Sequence, residues 1–212
     1  MIHYAIWFGQ KATVQFLLES RHRIGFNIEG RLNNGNTILH IACEKRDIEI
    51  VDLVSNALQK INSDIDFDTR RNDQATPLHL ACINPKSDVA IKLLRRFPEK
   101  INVLGQDDRN ILHYACEKGN LKLLKYIFGN SAFDFNAVDT DGWTPLHFAS
   151  HFGQYEVVKF LYENYEAKGI DVAKKTNEGE TAEDLAREEG HQGILNVLNL
   201  WTMTIEIKKM IN

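Results

Sequence analysis

The sequence predicts an all-α fold, a solenoid of stacked helix-turn-helix units with projecting β-turn fingers. The prediction depends first on a short motif that recurs along the chain, each copy followed by a segment whose apolar residues have a helical period. It depends second on spacing, because equivalent positions lie 34 to 39 residues apart, the length of one supersecondary unit in repeat proteins. The copies are IHYA (2–5), TILHIA (37–42), TPLHLA (76–81), NILHYA (110–115), TPLHFA (144–149) and TAEDLA (181–186).

The first helix of each unit carries its own start and stop signals. A threonine or asparagine opens each complete motif, and its side chain can accept from an unpaired N–H of the first helical turn. Pro77 and Pro145 then occupy the first helical position, where a missing N–H costs nothing. Glycine follows the alanine shared by all copies by four residues, which predicts a helix end in left-handed conformation. These glycines are Gly9, Gly119, Gly153 and Gly190.

Polar, turn-forming stretches separate one unit from the next. Asn34-Gly35 and Asp141-Gly142 are β-turn signals and predict the tips of the fingers. The longer intervals place extra residues at 21–25, 60–64 and 163–169. We expect loops at these three places, because added loop length costs little free energy.

The motif and its spacing resemble the ankyrin repeat family, whose period is about 33 residues with a Thr-Pro-Leu-His-x-Ala signature. The resemblance covers nearly the whole chain. We predict one ankyrin repeat domain over residues 1–200, with repeats at approximately 1–30, 31–69, 70–103, 104–137, 138–174 and 175–200. Residues 201–212 do not fit the repeat and are expected to form a C-terminal capping tail, either a short helix or a strand.

Composition limits the classes of partner. With 25 Lys and Arg against 29 Asp and Glu, the net charge is −4, so no bulk attraction to nucleic acid is expected. No apolar run approaches the roughly 20 residues that span a bilayer, which predicts no direct membrane insertion. Three cysteines without a C-x-x-C pair argue against a disulfide framework. We therefore expect a soluble, intracellular, cytoplasmic protein.

One stretch suggests chemistry. His113, Cys116 and Glu117 lie at spacings i, i+3 and i+4, which is one face of a helix, and could form part of a metal site or a thiol/imidazole pair. The other copies argue against this, since the cysteine position also accepts isoleucine, serine and arginine. We predict no enzyme activity, no catalytic residue, no metal and no cofactor, with a thiol or metal enzyme built on these three residues as an alternative.

The resemblance implies a structural role for the histidine of the motif. It implies that this side chain ties the start of the first helix to the adjoining finger by hydrogen bonds. A metal bound by the column of histidines is not expected, because stacked helices lie roughly 8–10 Å apart and their ligands cannot converge on one ion. The histidines concerned are His40, His79, His113 and His147.

The resemblance also implies a non-catalytic protein-protein interaction scaffold that presents a concave surface of finger tips and first helices. Most of these positions hold small or charged residues, but the fifth copy is different. By register it should bring Trp143, His151 and Phe152 together, beside Arg109, Glu117 and Lys118 of the preceding copy. We predict that these six residues bind a partner protein, since Trp and Arg are enriched in interface hot spots. The alternative for Trp143 is local packing over its own finger.

The two ends of the chain differ. In the sixth copy Glu183 and Asp184 replace the leucine and histidine of the motif, which gives the polar cap that a solenoid needs. The first copy begins within the motif and places Trp7 and Phe8 close behind it. We expect a fragment with a missing N-terminal portion, or else a partner or second copy covering these aromatics. An alternative function follows: the ankyrin part of a larger signalling protein, channel or bacterial effector whose activity lies outside this chain.

Overall fold

The computed structural model describes residues 1–45, 47–61, 63, 66–83, 88–97, 103–129 and 133–211. Within these ranges the regular structure is helical and no strand is present, which confirms the prediction of an all-α fold. The chain divides into two compact units, Met1–Gln106 and Asp107–Asn212.

The first unit holds helices in two rows. Helices that begin with the motif pack in succession, α1 on α3 and α3 on α5, while α2 packs on α4 behind them. Each motif helix also contacts the helix that follows it in sequence. The bounds are α1 Ile2–Trp7, α2 Lys11–Ile24, α3 Ile38–Lys45, α4 Ile48–Lys60, α5 Pro77–Cys82 and α6 Val89–Arg96.

The second unit repeats this arrangement. Its motif helices α7, α9 and α12 pack in succession, and α8, α10 and α13 form the second row. The bounds are α7 Ile111–Glu117, α8 Leu121–Phe128, α9 Pro145–His151, α10 Tyr155–Glu163, α11 Tyr165–Lys168, α12 Ala182–Glu188 and α13 Gln192–Ile211. None of the helices in the described ranges of either unit combines the length and hydropathy needed to cross a bilayer.

The start and stop signals of the motif helices act as predicted. A capping box, in which the N-cap residue and the residue three positions later each accept the other's backbone N–H with a side chain, is present at the start of α5, α7, α9 and α12. After the motif helices, Gly9, Gly119, Gly153 and Gly190 have φ of 66°, 67°, 70° and 73°. Since side-chain-bearing residues rarely adopt such angles, the sequence places glycine where the backbone requires it.

The fingers of neighbouring copies are joined by asparagine side chains. Asn177 donates its backbone N–H to the carbonyl of Asp141 at 3.0 Å and its Nδ2 to the carbonyl of Thr140 at 2.9 Å. Gly142, with φ of 79°, allows this close approach, because a Cβ there would lie 2.7 Å from Oδ1 of Asn177. The finger of the fifth copy is therefore held in place by that of the sixth.

Two of the expected loops are helical. Residues 21–24 belong to α2, which continues to Ile24 and ends at Gly25 with φ of 64°. Residues 165–168 form the short helix α11, which ends at Gly169 with φ of 59°. The extra residues therefore lengthen a helix or form a short additional one, and each of these helices ends at a glycine with positive φ. The length of the interval between motifs does not distinguish such a helix from a loop. Of 60–64, residues 62 and 64 lie outside the described residues.

The C-terminal tail is not a separate element. Helix α13 runs without a break through the expected boundary at residue 200 and ends at Ile211. Ile194, Leu198 and Trp201 are buried along its inner face, so the tail is the continuation of the second helix of the sixth copy. The outer face leaves apolar side chains exposed at Leu200, Met203, Ile207, Met210 and Ile211.

Candidate functional site

The histidine of each complete motif lies inside the protein, and His40, His79 and His113 each contact two places, whereas Nε2 of His147 has no hydrogen-bond partner among the described residues. In the second copy, Nδ1 of His40 accepts the backbone N–H of Thr37 at 3.3 Å, and Nε2 lies 3.2 Å from the carbonyl of Ala75 in the finger before the next motif. His79 and His113 repeat this pattern, with Nε2 3.1 Å from the carbonyls of Val103 and Ala137 respectively. His147 makes the Nδ1 contact at 3.0 Å.

These contacts fix the tautomer. A ring nitrogen that accepts a backbone N–H carries no proton in the neutral ring, so the proton is on Nε2, which donates to the carbonyl. Burial favours this neutral form and lowers the pKa of His40, His79 and His113 to about 4. Burial also lowers the pKa of His147.

Asp184 keeps half of this arrangement in the sixth copy. Its Oδ2 accepts from the backbone N–H of Thr181 at 2.9 Å and from the hydroxyl of Thr181 at 2.6 Å. These hydrogen bonds hold the pKa of Asp184 below its usual value. A carboxylate has no N–H to donate, so Asp184 reproduces the contact at the helix start and makes no onward link.

The structure gives little support to a thiol or metal centre on α7. Cys116 is completely buried, and burial raises the pKa of its thiol. Both ring nitrogens of His113 are engaged with Asn110 and Ala137, and Glu117 pairs with Arg109 and Lys118. Among the residues that the structure describes, no group of three or more His, Cys, Asp or Glu is placed to hold a metal ion.

We expect all three thiols to resist alkylation in the native protein. Cys43, Cys82 and Cys116 are buried and free, and burial raises the pKa of each, so reaction requires local opening. Iodoacetamide at about pH 8 should modify the native chain at least about 100-fold more slowly than the denatured chain. Rapid alkylation of the native protein that disappears in a Cys116→Ser variant would instead support the alternative of a thiol enzyme.

The structure brings together the three fifth-copy residues expected to bind a partner. The ring of Trp143 lies 5.2 Å from that of His151, and the ring of His151 lies 4.8 Å from that of Phe152. Trp143 also packs 5.1 Å from Phe148, so it rests on the helix of its own copy and is only partly exposed. Phe152 is 45% exposed. We call Trp143, Phe148, His151 and Phe152 the aromatic cluster.

Three charged residues adjoin the aromatic cluster and form ion pairs with one another: Arg109, Glu117 and Lys118. Arg109 pairs with Asp139 at 3.1 Å and with Glu117 at 3.7 Å, and its guanidinium lies 4.4 Å above the ring of Phe148. Lys118 pairs with Glu117 at 2.5 Å. Glu117 is one of the six residues predicted to bind a partner, but its side chain is only 11% exposed, because the two cations cover it.

An open pocket of about 400 Å³ lies over the aromatic cluster. Arg109 lines it together with residues that sequence reasoning did not assign to the site. These are Asp141, Phe148, Asn177, Glu178 and Glu180. The repeat register does contain a signal for them, because Asp141 and Glu178 precede the glycines of consecutive finger turns. The finger-tip register alone reaches Glu180 of the sixth finger but not Asp141 or Glu178, and it does not show that these three acids line one pocket with Trp143.

Comparisons with known protein families agree with the repeat pattern. Residues 2–103 match a family model described as "Ankyrin repeats (3 copies)", and residues 112–162 match one described as "Ankyrin repeats (many copies)". The crystal structure of EF0377, an ankyrin repeat protein, superposes with a TM-score of 0.73 at 24% identity, covering 93% of this chain and 96% of that one.

Two curated proteins illustrate the relatives. The "Probable 26S proteasome regulatory subunit p28" of Saccharomyces cerevisiae is 28% identical over 193 residues, covering 89% of this chain and 78% of that protein. The "Nuclear factor NF-kappa-B p105 subunit" of Rattus norvegicus is 33% identical over 99 residues, covering 46% of this chain and 10% of that protein.

Proposed function

The chain belongs to the ankyrin repeat family, whose members are generally protein-interaction modules, and from this we propose that it is a non-catalytic scaffold that binds a partner protein through the aromatic cluster. The observation that carries the proposal is the meeting of Trp143, His151 and Phe152 beside Arg109. Large aromatic side chains with a neighbouring arginine dominate the binding energy of many interfaces.

The cluster is also pre-formed. Trp143 is packed against α9, and its backbone N–H is fixed by Asp139 at 2.9 Å. The guanidinium of Arg109 is held between the ring of Phe148 and two carboxylates. Because these side chains are already ordered, a partner would bind without the entropic cost of immobilising them.

The relatives suggest where to look for the partner. The yeast relative is described as a probable regulatory subunit of the 26S proteasome, so we propose an intracellular partner and the subunits of such an assembly as the first class to test. The match to a small part of p105 keeps open the alternative that these repeats serve within a larger protein.

Removing the two aromatic anchors should weaken binding strongly. We expect a Trp143→Ala/Phe152→Ala variant to lose the protein that the wild-type chain captures from a native extract. With the captured protein purified, calorimetry should show a loss of about 2 kcal/mol or more in binding free energy, the cost of truncating a hot spot. Since Trp143 also packs on Phe148, the thermal unfolding of the variant must be measured in parallel.

Phe8 provides a matched control. It occupies the same register position in the first copy as Phe152 in the fifth and is 69% exposed. A Phe8→Ala variant makes the same substitution as Phe152→Ala at a position of the first unit, so it should retain the captured protein. Unchanged affinity of the folded double variant would contradict the proposed site.

A further inference from the structure

We propose that the pocket over the aromatic cluster receives a cationic side chain, Lys or Arg, of the partner protein. This inference rests on the proposed function and specifies what the same surface recognises. The pocket of about 400 Å³ falls within the range of about 300–1,000 Å³ that is typical of ligand sites. Its lining includes the aromatic cluster, Arg109 and three acidic residues, Asp141, Glu178 and Glu180, which we call the acidic rim.

The aromatic cluster suits a cation. A ring carries partial negative charge on its face, and an ammonium or guanidinium within about 6 Å of the ring centre is attracted to it. Trp143, which gives the strongest such contacts among the aromatic residues, lines the pocket with His151 and Phe152. None of the cation–ring contacts of the described residues involves Trp143.

The cations already near the pocket are neutralised by the protein itself. Arg109 is paired with Asp139 and Glu117, and Lys118 with Glu117. The carboxylates of Asp139 and Glu117 balance the charges of Arg109 and Lys118. These two cations therefore do not neutralise the acidic rim, and they repel a third cation only weakly.

The acidic rim lacks counterions. Among the described residues, Asp141, Glu178 and Glu180 line the pocket and make no ion pair and no side-chain hydrogen bond. The backbone bond between Asn177 and Asp141 holds the two fingers together, so the backbone positions that carry these carboxylates are kept near one another. The pKa of Glu180 is raised by desolvation and by the charges of Glu188, Glu178 and Asp184. An added cation would relieve this repulsion.

The first unit shows how the same register position accepts a cation. Trp7 occupies in the first copy the position of His151 in the fifth, and Nζ of Lys45 from the next copy lies 3.1 Å from its ring centroid. The residue equivalent to Lys45 in the sixth copy is Glu189, which pairs with His151 at 3.5 Å. In the second unit Arg109 and Lys118 lie over the rings of Phe148 and Phe152, but the register position of Lys45 holds an acid, and no cation of the described residues lies over Trp143.

The test uses the full chain and short peptides observed by NMR. The peptides are acetylated, amidated glycine pentamers with Arg, Lys, citrulline or Glu at the centre, and the probe is the indole N–H resonance of Trp143. Citrulline keeps the shape of arginine without its charge. We expect saturable shifts of Trp143 with the Arg or Lys peptide, and none with the citrulline or Glu peptides. Glu178→Gln/Glu180→Gln should weaken the interaction by about fivefold or more.

A matched charge control comes from Glu156→Gln/Glu206→Gln, which changes the net charge equally at exposed residues that do not line the pocket. This variant should bind as the wild type does. Equal shifts from citrulline, equal weakening by both glutamine pairs, or no shift at all would overturn the inference. The two proposals fail separately. If Trp143→Ala/Phe152→Ala loses the captured protein and Glu178→Gln/Glu180→Gln retains it fully, the proposed function stands and the cationic side chain is excluded. If the folded Trp143→Ala/Phe152→Ala variant retains the captured protein, the proposed function itself fails.

Discussion

Replacing Trp201 with alanine is expected to lower the free energy of unfolding by about 3–5 kcal/mol, the range for a buried tryptophan. The side chain is completely buried, and its ring lies 5.8 Å from Tyr162 and 5.5 Å from Tyr165. Alanine would leave a cavity between α13 and the helices before it. Denaturant unfolding followed by circular dichroism measures the change directly.

Two further variants test whether the loss of stability comes from the buried packing of Trp201. Trp201→Phe keeps most of the volume and removes an indole N–H without a partner among the described residues, so it should cost much less than alanine. Met203→Ala, at a position that is 57% exposed, should be nearly neutral. If Trp201→Ala were as mild as Met203→Ala, the tail would not be part of the packed sixth copy.

Acid should destabilise the protein steeply between about pH 6.5 and about pH 4. Burial lowers the pKa of His40, His79 and His113 from 6.5 to about 4, so in this window the unfolded chain binds protons that the folded chain does not. Stability therefore rises with pH through the window and falls on acidification, by up to about 1.4 kcal/mol per pH unit for each histidine. His147, whose pKa is lowered too, adds to the effect in the same direction.

A glutamine variant tests this assignment. His113→Gln can still cap the first turn, since glutamine is a natural partner at the fourth position of the capping box, but it binds no proton. The variant should be less stable near neutral pH, because the link to Ala137 is lost, and its stability should depend less on pH. Urea unfolding at a series of pH values gives both quantities, and an unchanged slope would exclude His113 as one of the titrating groups.

The repeat could be predicted from sequence because its signals are local and recur. Thr76, Pro77 and Gly119 each specify one backbone geometry, and the structure places each as expected. The rim of the pocket could not be predicted so directly. Asp141 and Glu178 come together only because Asn177 joins their fingers, and that alignment depends on contacts between copies. Likewise, the length of an interval cannot show that α2 continues through Arg21 to Ile24.

The histidine contacts give the repeats a direction. In His40, His79 and His113 the Nε2 proton points toward a carbonyl that lies between the second helix of that copy and the next motif, as from His113 to Ala137. If the segment that leads into the following motif opens, the buried Nε2 donor before it loses its acceptor, which is costly. If the preceding copy opens, the carbonyl left behind sits on an outer finger where water can satisfy it. Within each unit, fraying should therefore be easier from the amino-terminal copy than from the carboxyl-terminal one, so that this array of similar repeats behaves asymmetrically.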